Sequence, residues 1–234
     1  MNLLLLEDKD FVSPTRVRLE GRRLRHVQEV HRAAVGDDLV VGRLGGNLGR
    51  GRVLALDDAL ELEVTLDQAP PPKLPLTLVL ALPRPKVLNR VLAAAASLGV
   101  ARIHLVNAWK VEKSYWKSPR MAEENLLLQR VLGLEQARDT VLPSLELHRL
   151  LRPFAEEVLP SLAAGTTALV AHPGVPVPCP RDLTGPVTLA IGPEGGFLPQ
   201  EVELLGRAGL TPVNLGSRIL RVETAVAALV GRLF

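Results

Sequence analysis

From residue 76 onward the sequence alternates between short apolar segments and longer amphipathic ones, and this alternation constrains the fold more than any other feature. The apolar segments have the length of buried strands and cover residues 77–83, 102–108, 167–174, 187–193 and 211–216. Helices are predicted over 86–99, which ends at a glycine, and over 118–139, where Ser118 is placed to cap and Pro119 opens the helix. The pattern predicts an α/β domain with a mostly parallel sheet that is covered on both faces.

The first seventy residues have a different pattern. Residues 37–56 contain two strand-like runs around a glycine-rich turn, and LELEVTL (60–66) alternates with period two. Only GRRLRHVQEVHR (21–32) has the pattern of a helix here. The prolines of QAPPPKLP (68–75) then stiffen the backbone and remove hydrogen-bond donors. We therefore predict a small β-barrel domain over 1–70 and the α/β domain over 73–234.

Charge is unevenly distributed along the chain, whose formal net charge is +3. Residues 16–32 hold six arginines against two glutamates, and WKVEKSYWK (109–117) holds three lysines against one glutamate. Basic patches of this kind suit an anionic partner such as nucleic acid. Composition alone is equally compatible with a solvated, arginine-rich surface.

The remaining composition favours a soluble, cytoplasmic protein. Cys179 is the only cysteine, which excludes an intrachain disulfide and suggests a reducing compartment. The first ten residues, MNLLLLEDKD, lack the apolar length of a signal peptide. The longest apolar run, near 91–101, is too short for a membrane span, so no membrane association is expected.

Three loops follow predicted strands at their carboxyl ends, where open α/β sheets bind ligands. They are HPGVP (172–176), GPEGG (192–196) and GSRILR (216–221). The second loop matches neither phosphate-binding glycine pattern, and Glu194 would repel an anion. A nucleoside, or a ligand with positive charge, suits this loop better, although glycines needed only for a turn would look the same.

The pair IGPEGGF…QEVE (191–203) and LGSRILRVETA (215–225) closely resembles the signature of the RsmE family, which are ribosomal small-subunit methyltransferases of the SPOUT superfamily. The resemblance spans the whole chain. It implies a PUA-like β-barrel that binds RNA, followed by a SPOUT domain with a carboxyl-terminal trefoil knot. It further implies a homodimer without a metal, which transfers a methyl group from S-adenosyl-L-methionine to N3 of a uridine in small-subunit (16S) ribosomal RNA.

By this resemblance the three loops form the cofactor pocket. The implied cofactor-binding residues are Ala171, His172, Gly192, Glu194, Gly196, Leu215, Gly216, Ile219 and Leu220. Arg221 is predicted to stabilise the charge that develops on the uridine oxygens, and Glu194 to act as base or to orient the sulfonium. Glu194 has a structural alternative, in which it accepts backbone amides of its own loop, and His172 has the alternative of an ordinary loop histidine.

RNA contacts are predicted from the two basic segments. The residues are Arg16, Arg18, Arg22, Arg23, Arg25, Lys110, Lys113 and Lys117. Three aromatic side chains lie among the lysines and could stack on bases, or anchor the segment in the core, as Trp116 favours.

The match to the family pattern weakens at Ala94, Ala96, Ser97 and Trp109, where other residues are usual. These departures concern substrate contacts rather than the cofactor loops. Two alternatives therefore stay open, namely a SPOUT methyltransferase that acts on a different RNA nucleotide and a non-catalytic RNA-binding assembly factor.

Overall fold

The computed structural model describes residues 2–234 and divides the chain into two compact units. The first unit contains the chain up to Pro72 together with Val131–Leu142. The second unit contains Lys73–Arg130 and Pro143–Phe234. Each unit buries its own cluster of aliphatic side chains.

A six-stranded sheet with the order β1-β4-β5-β6-β3-β2 forms the first unit. The strands are β1 Leu4–Leu6, β2 Phe11–Ser13, β3 Arg16–Leu19, β4 Asp38–Arg43, β5 Leu48–Leu56 and β6 Leu60–Gln68. β1 and β4 run parallel, and all other neighbours are antiparallel. The sheet is curled into half a barrel, which is consistent with a PUA-like domain.

Alternating side chains build this sheet, as the period-two pattern predicts. Buried and exposed residues alternate along β3 and through most of β5 and β6, and the buried ones are leucines and valines or, in β5, glycines. At Gly49 strand β6 comes so close that an added Cβ would lie 1.8 Å from the carbonyl oxygen of Thr65. Only glycine permits this approach of the two strands.

The helical segment predicted in the first unit is present. Helix α1, Gly21–His26, continues into a π-helical turn over Val27–His31. Leu24 and Val27 are buried against the sheet, which fixes this segment on the core.

Two arginines of α1 form ion pairs inside the first unit. Arg23 donates to both carboxylate oxygens of Asp10, at 2.5 and 2.7 Å, and to the carbonyl of Leu5 at 2.8 Å. Arg22 donates to both carboxylate oxygens of Glu135, at 2.8 and 2.9 Å. Asp10 and Glu135 are buried, so both arginines neutralise a carboxylate within the first unit. Their predicted contact with RNA stays a prediction.

A six-stranded sheet with the order β12-β10-β11-β7-β8-β9 forms the centre of the second unit. Its strands are β7 Leu74–Ala81, β8 Val100–Val106, β9 Ser144–His148, β10 Thr167–Ala171, β11 Val187–Ile191 and β12 Thr211–Val213. All neighbours are parallel, which confirms the predicted sheet. Every residue of β11 and the last six of β7 are buried, so both faces of the sheet centre are covered. The edge strand β9 was missing from the sequence prediction.

The other helices follow these strands along the chain. They are α2 Pro85–Ser97, α3 Glu123–Ala137, α4 Leu151–Pro153, α5 Leu159–Ala163, α6 Pro199–Arg207 and α7 Val222–Leu233. A π-helical turn over Phe154–Val158 joins α4 to α5. In residues 2–234 no helix is long and apolar enough to cross a lipid bilayer.

The prediction of a helix that begins at Ser118 and Pro119 is wrong. The Ser118 hydroxyl accepts the amide of Arg120 at 3.2 Å, but it caps only a 3-10 turn over Pro119–Met121. Helix α3 begins at Glu123. Ala122 has an extended backbone, which interrupts the helical path between the turn and α3.

A few titratable side chains are buried in the second unit. Burial lowers the pKa of His104 and His148 below the usual value, and this effect outweighs that of the nearby Glu146 carboxylate. Both imidazoles are therefore neutral near pH 7. Burial raises the pKa of the Cys179 thiol, which keeps this cysteine in its unreactive, protonated form.

The ion pair between Arg23 and Asp10 provides a test of the first unit. Replacing Arg23 by alanine leaves the Asp10 carboxylate buried without its counter-charge, and breaking a pair of this kind costs about 3–5 kcal/mol. We expect Arg23→Ala to lower the free energy of unfolding by an amount in this range, measured by urea titration. Arg25→Ala, at an exposed position of the same helix, is the control. A loss for Arg23→Ala no larger than that of the control would contradict the structural role.

Candidate active site

A cavity of about 240 Å³ lies at the carboxyl ends of β10, β11 and β12 in the second unit. Because β10 pairs in parallel with both other strands, the loops that follow all three strands meet at one edge of the sheet. These are the loops predicted from the sequence to hold a ligand. All nine residues predicted to bind the cofactor line this cavity.

The second loop, Gly192–Phe197, makes a tight turn at the cavity wall. The amide of Gly196 donates to the carbonyl of Pro193 at 2.7 Å, and Gly196 has a φ of +69°. A Cβ at Gly192 would lie 2.9 Å from the amide nitrogen of Phe197. The glycines therefore allow the turn to close on itself, and they also leave the backbone uncovered on the cavity side.

Glu194 is exposed in the second loop, where it lines the cavity and fixes the loop to a second segment. Its Oε1 accepts the backbone amide of Arg84, which lies between β7 and α2, at 3.0 Å. The structural alternative from the sequence analysis placed this contact within the loop itself, and that part of it is wrong. Glu194 instead connects the loops that follow two adjacent strands, β11 and β7.

Glu201, on the first turn of α6, fixes two further backbone segments. Its buried carboxylate accepts the amide of Leu198 through Oε2 and the amide of Trp109 through Oε1, both at 2.8 Å. Lys110 donates from Nζ to the carbonyl of Gly195 at 2.6 Å. The lysine-rich segment 109–117 is therefore attached directly to the second loop. Glu201 was not predicted as a site residue. Its bond to the Leu198 amide is the half of a capping box that an acid at the third helical position supplies, without a polar N-cap residue to complete it.

Asn214 joins the first loop to the third. Its side-chain nitrogen donates to the carbonyls of Val175 and Val177, at 2.7 and 3.0 Å, and its Oδ1 accepts the amide of Gly216 at 2.8 Å. Gly216 has a φ of +112°, a conformation that other residues rarely adopt. Asn214 also lines the cavity and was not predicted as a site residue. Its signal was an amide side chain within the predicted strand segment 211–216.

The third loop exposes two apolar side chains at the mouth of the cavity. Ile219 is 84% exposed and Leu220 is 37% exposed. Apolar surface of this kind gains free energy when a ligand covers it, by about 25 cal/mol per Å². A flat, weakly polar group is therefore a better occupant of the mouth than a strongly hydrated anion.

The charged side chains near the third loop occupy other positions than the prediction implied. Arg218 lines the cavity, whereas Arg221 is exposed at the N-cap of α7, outside the lining. Glu223 lies in the first turn of α7, 3.5 Å from Arg90 on α2. An acid in the first helical turn is favourable for the helix dipole.

Comparison with known proteins identifies the family. Residues 70–233 match the family model described as RNA methyltransferase domain. The ribosomal RNA small subunit methyltransferase E of Treponema pallidum is 30% identical over 240 residues, which cover 97% of this chain and 88% of that protein. The chain belongs to the ribosomal RNA small subunit methyltransferase E family. The methyltransferase E of Mycobacterium tuberculosis is 29% identical over 91% of this chain and 84% of its own.

The fold agrees with a solved structure of the same family. The methyltransferase E from Neisseria gonorrhoeae, bound to S-adenosyl methionine, has a TM-score of 0.74 and covers 98% of this chain and 95% of its own. The two sequences are 22% identical, so this likeness concerns the fold.

The departures from the methyltransferase E pattern lie on α2 and directly after β8. Ala96 is fully buried in the core, whereas Ala94 and Ser97 are half-buried. The Ser97 hydroxyl donates to the carbonyl of Ala94 at 2.9 Å, a contact within the helix. Trp109 is 78% exposed, so among these four positions it offers by far the most accessible side chain.

The cations predicted to contact RNA fall into two groups in the two units. Arg16, Arg18 and Arg25 are exposed in the first unit, where Arg18 pairs with Glu20 and Glu61. The lysines are exposed in the second unit, at positions 110, 113 and 117. Between them Trp116 is buried and donates from its indole nitrogen to Asn107 at 2.9 Å, which confirms that it anchors the segment.

The turn in the second loop predicts the effect of a single methyl group. In Gly192→Ala the added Cβ would press on the backbone of Phe197, and overpacking of this kind costs about 1–3 kcal/mol. We expect a loss of unfolding free energy in this range, measured by urea unfolding. The matched control is Gly206→Ala on α6, where an added Cβ meets no atom within 4 Å. The interpretation is wrong if the two variants have equal stability.

Proposed function

We propose that this protein is a methyltransferase that uses S-adenosyl-L-methionine to methylate N3 of a uridine in small-subunit (16S) ribosomal RNA. The observation that carries the proposal is the cavity at the ends of β10, β11 and β12, which is lined by all nine predicted cofactor residues in a member of the methyltransferase E family. When bound there, S-adenosyl-L-methionine supplies the methyl group on its sulfonium.

The cavity residues fit an adenosyl group. Its walls combine aliphatic side chains, which pack against a flat base, with loop backbone that offers amides and carbonyls to the base edge. The exposed side chains of Ile219 and Leu220 would be covered by such a ring. The Glu194 carboxylate at the same cavity is favourable for a cation, and it is the feature that argued against a phosphate.

Two side chains are proposed for the chemistry at the uridine. N3 carries a proton that must leave before N3 can form a new bond, and the remaining charge is shared with the O2 and O4 oxygens. We assign Glu194 as the group that takes this proton, because its bond to the Arg84 amide holds the carboxylate at the cavity. Arg221, directly after Leu220 of the cavity lining, is assigned to stabilise the charge on the oxygens.

RNA affinity is assigned to the exposed cations that do not pair with a buried carboxylate. Arg16, Arg18 and Arg25 serve in the first unit, together with the three lysines of segment 109–117. Trp109 is proposed as a stacking platform, because it is 78% exposed and its amide is fixed by Glu201. This arrangement suits a target base that leaves its stack to reach the cavity.

Three further features belong to the same proposal. We infer a PUA-like barrel for the RNA-binding domain over 1–70 and a carboxyl-terminal trefoil knot within 73–234, as the family resemblance implies. We also infer a homodimer in the cytoplasm. The inner face of α7 packs on the core, but its outer face consists of small, uncharged residues such as Ala227, Ala228 and Gly231. A monomer mass from light scattering at micromolar concentration would contradict the dimer.

Cofactor binding is the first test of the proposed function. We expect saturable, one-to-one binding of S-adenosylhomocysteine in a calorimetric titration, whereas ATP should not bind because its triphosphate meets Glu194. Radiolabelled S-adenosyl-L-methionine should then label small-subunit RNA, and nucleoside mass spectrometry should find N3-methyluridine. A different methylated nucleoside would favour a change of substrate. Absence of cofactor binding by the folded protein would favour the non-catalytic assembly factor.

The two assigned side chains can be separated by matched variants. Glu194→Gln keeps an oxygen for the Arg84 amide but cannot take a proton, so it should retain S-adenosylhomocysteine binding and lose methyl transfer. Arg221→Ala should lower kcat by about 100-fold or more at saturating cofactor, as the loss of a charge-stabilising donor typically does. Arg207→Ala, on the exposed surface of α6, is the control. Unchanged turnover in either variant would overturn the assignment of that residue.

A further inference from the structure

A cluster of three ligand-type side chains lies on β8 and β9, outside the cavity described above. His104 on β8 pairs in register with Glu146 on β9, and His148 follows two residues later on the same face of β9. Nδ1 of His104 lies 3.1 Å from Nε2 of His148, and Oε2 of Glu146 lies 3.7 Å from each of these nitrogens. Among residues 2–234 this is the one such group of three.

The spacing of these three atoms matches that of ligands around one metal ion. The three atoms form a triangle with sides of 3.1, 3.7 and 3.7 Å, whose centre lies about 2.0 Å from each atom. This distance agrees with the bonds from Zn²⁺ to imidazole nitrogen and carboxylate oxygen, which are about 2.0–2.2 Å long. The three atoms are therefore close enough together for a single ion to contact all of them.

The surroundings of the cluster hold the imidazoles in place and leave the carboxylate open. The ring of Phe154 lies 4.5 Å from that of His148 and 5.8 Å from that of His104, which restricts both imidazoles on one side. His104 is 3% exposed, whereas the side chain of Glu146 is 59% exposed. The group is therefore preorganised from the core side and open to solvent at the carboxylate, where a fourth ligand such as water can enter.

We propose that His104, Glu146 and His148 form a binding site for one divalent transition-metal ion, with Zn²⁺ as the best match. Two imidazoles and one carboxylate are a ligand set that Zn²⁺ accepts, whereas Ca²⁺ and Mg²⁺ require mainly oxygen ligands. A direct hydrogen bond between the two imidazoles is the competing explanation of the 3.1 Å distance. It accounts for the two histidines but assigns no role to Glu146.

The role of the metal is structural and independent of the proposed methyl transfer. β9 is the edge of its sheet and has β8 as its one neighbour there, so a bond from both strands to one ion ties the edge to the core. The carbonyl of His148 accepts the amide of Asn107, whose side chain in turn holds the indole of Trp116. The ion would therefore also stabilise the base of segment 109–117.

Titration of chelator-treated full-length protein with ZnCl₂ tests this site. We expect one equivalent to bind in calorimetry, a rise in Tm with Zn²⁺, and visible d–d absorption of tetrahedral type when CoCl₂ is used instead. Glu146→Gln and His148→Gln should each weaken binding at least about tenfold, since even residues that only support metal ligands contribute that much. Glu146→Gln is the more informative variant because its exposed side chain can change without disturbing the core.

His31→Gln is the matched control, because His31 forms the other histidine pair, with His26, in the first unit. The control should bind Zn²⁺ as the unchanged protein does, and all variants should bind S-adenosylhomocysteine equally. The proposal is overturned if Zn²⁺ does not bind, if Glu146→Gln and His148→Gln bind it as well as the unchanged protein, or if His31→Gln alone removes binding. The hydrogen-bonded pair of imidazoles would then explain the cluster.

Discussion

Parallel pairing of β10 with β11 on one side and β12 on the other is the constraint on which the candidate active site depends. Parallel strands end at the same edge of a sheet, so the loops after these three strands must meet there, although the second and third begin about twenty and forty residues after the first. The burial of β11 over its whole length makes this arrangement rigid. The loops can then hold special backbone conformations, such as the φ of +112° at Gly216, because the sheet fixes both of their ends.

Side chains that bind backbone groups hold the loops in place beyond the ends of the strands. Asn214 connects the first loop to the third, and Glu194 connects the second to the loop after β7. Glu201 on α6 accepts the backbone amides of Leu198 and Trp109. Each of these side chains joins segments that are distant in sequence, so a substitution in one loop should affect the others. This coupling is why Glu194→Gln, which preserves its contact, is a cleaner test of chemistry than removal of the side chain.

Charge in this protein serves two separate purposes. Arg23 and Arg22 neutralise buried carboxylates and hold α1 in the first unit, whereas Arg16 and Arg25 remain exposed. A buried ion pair is costly to break from one side, while an exposed cation contributes little to stability. The exposed residues are therefore the ones available for an anionic partner. The same distinction applies in the second unit, where Trp116 anchors the basic segment and Trp109 is exposed.

The sequence by itself determined the alternation of strands and helices, the positions of the three loops and nine of the residues that line the cavity, because local periodicity and a short, specific motif carry this information. The edge strand β9 was not predicted, although its five residues SLELH alternate between polar and apolar, and the start of α3 at Glu123 was placed too early. Only the tertiary structure decided which arginines form buried ion pairs and that Glu194 reaches Arg84. It also decided that His104, Glu146 and His148 lie together in one cluster. The residues paired in these contacts are 13 to 113 positions apart in the chain. No local pattern of the chain encodes a pairing that forms only when distant segments pack.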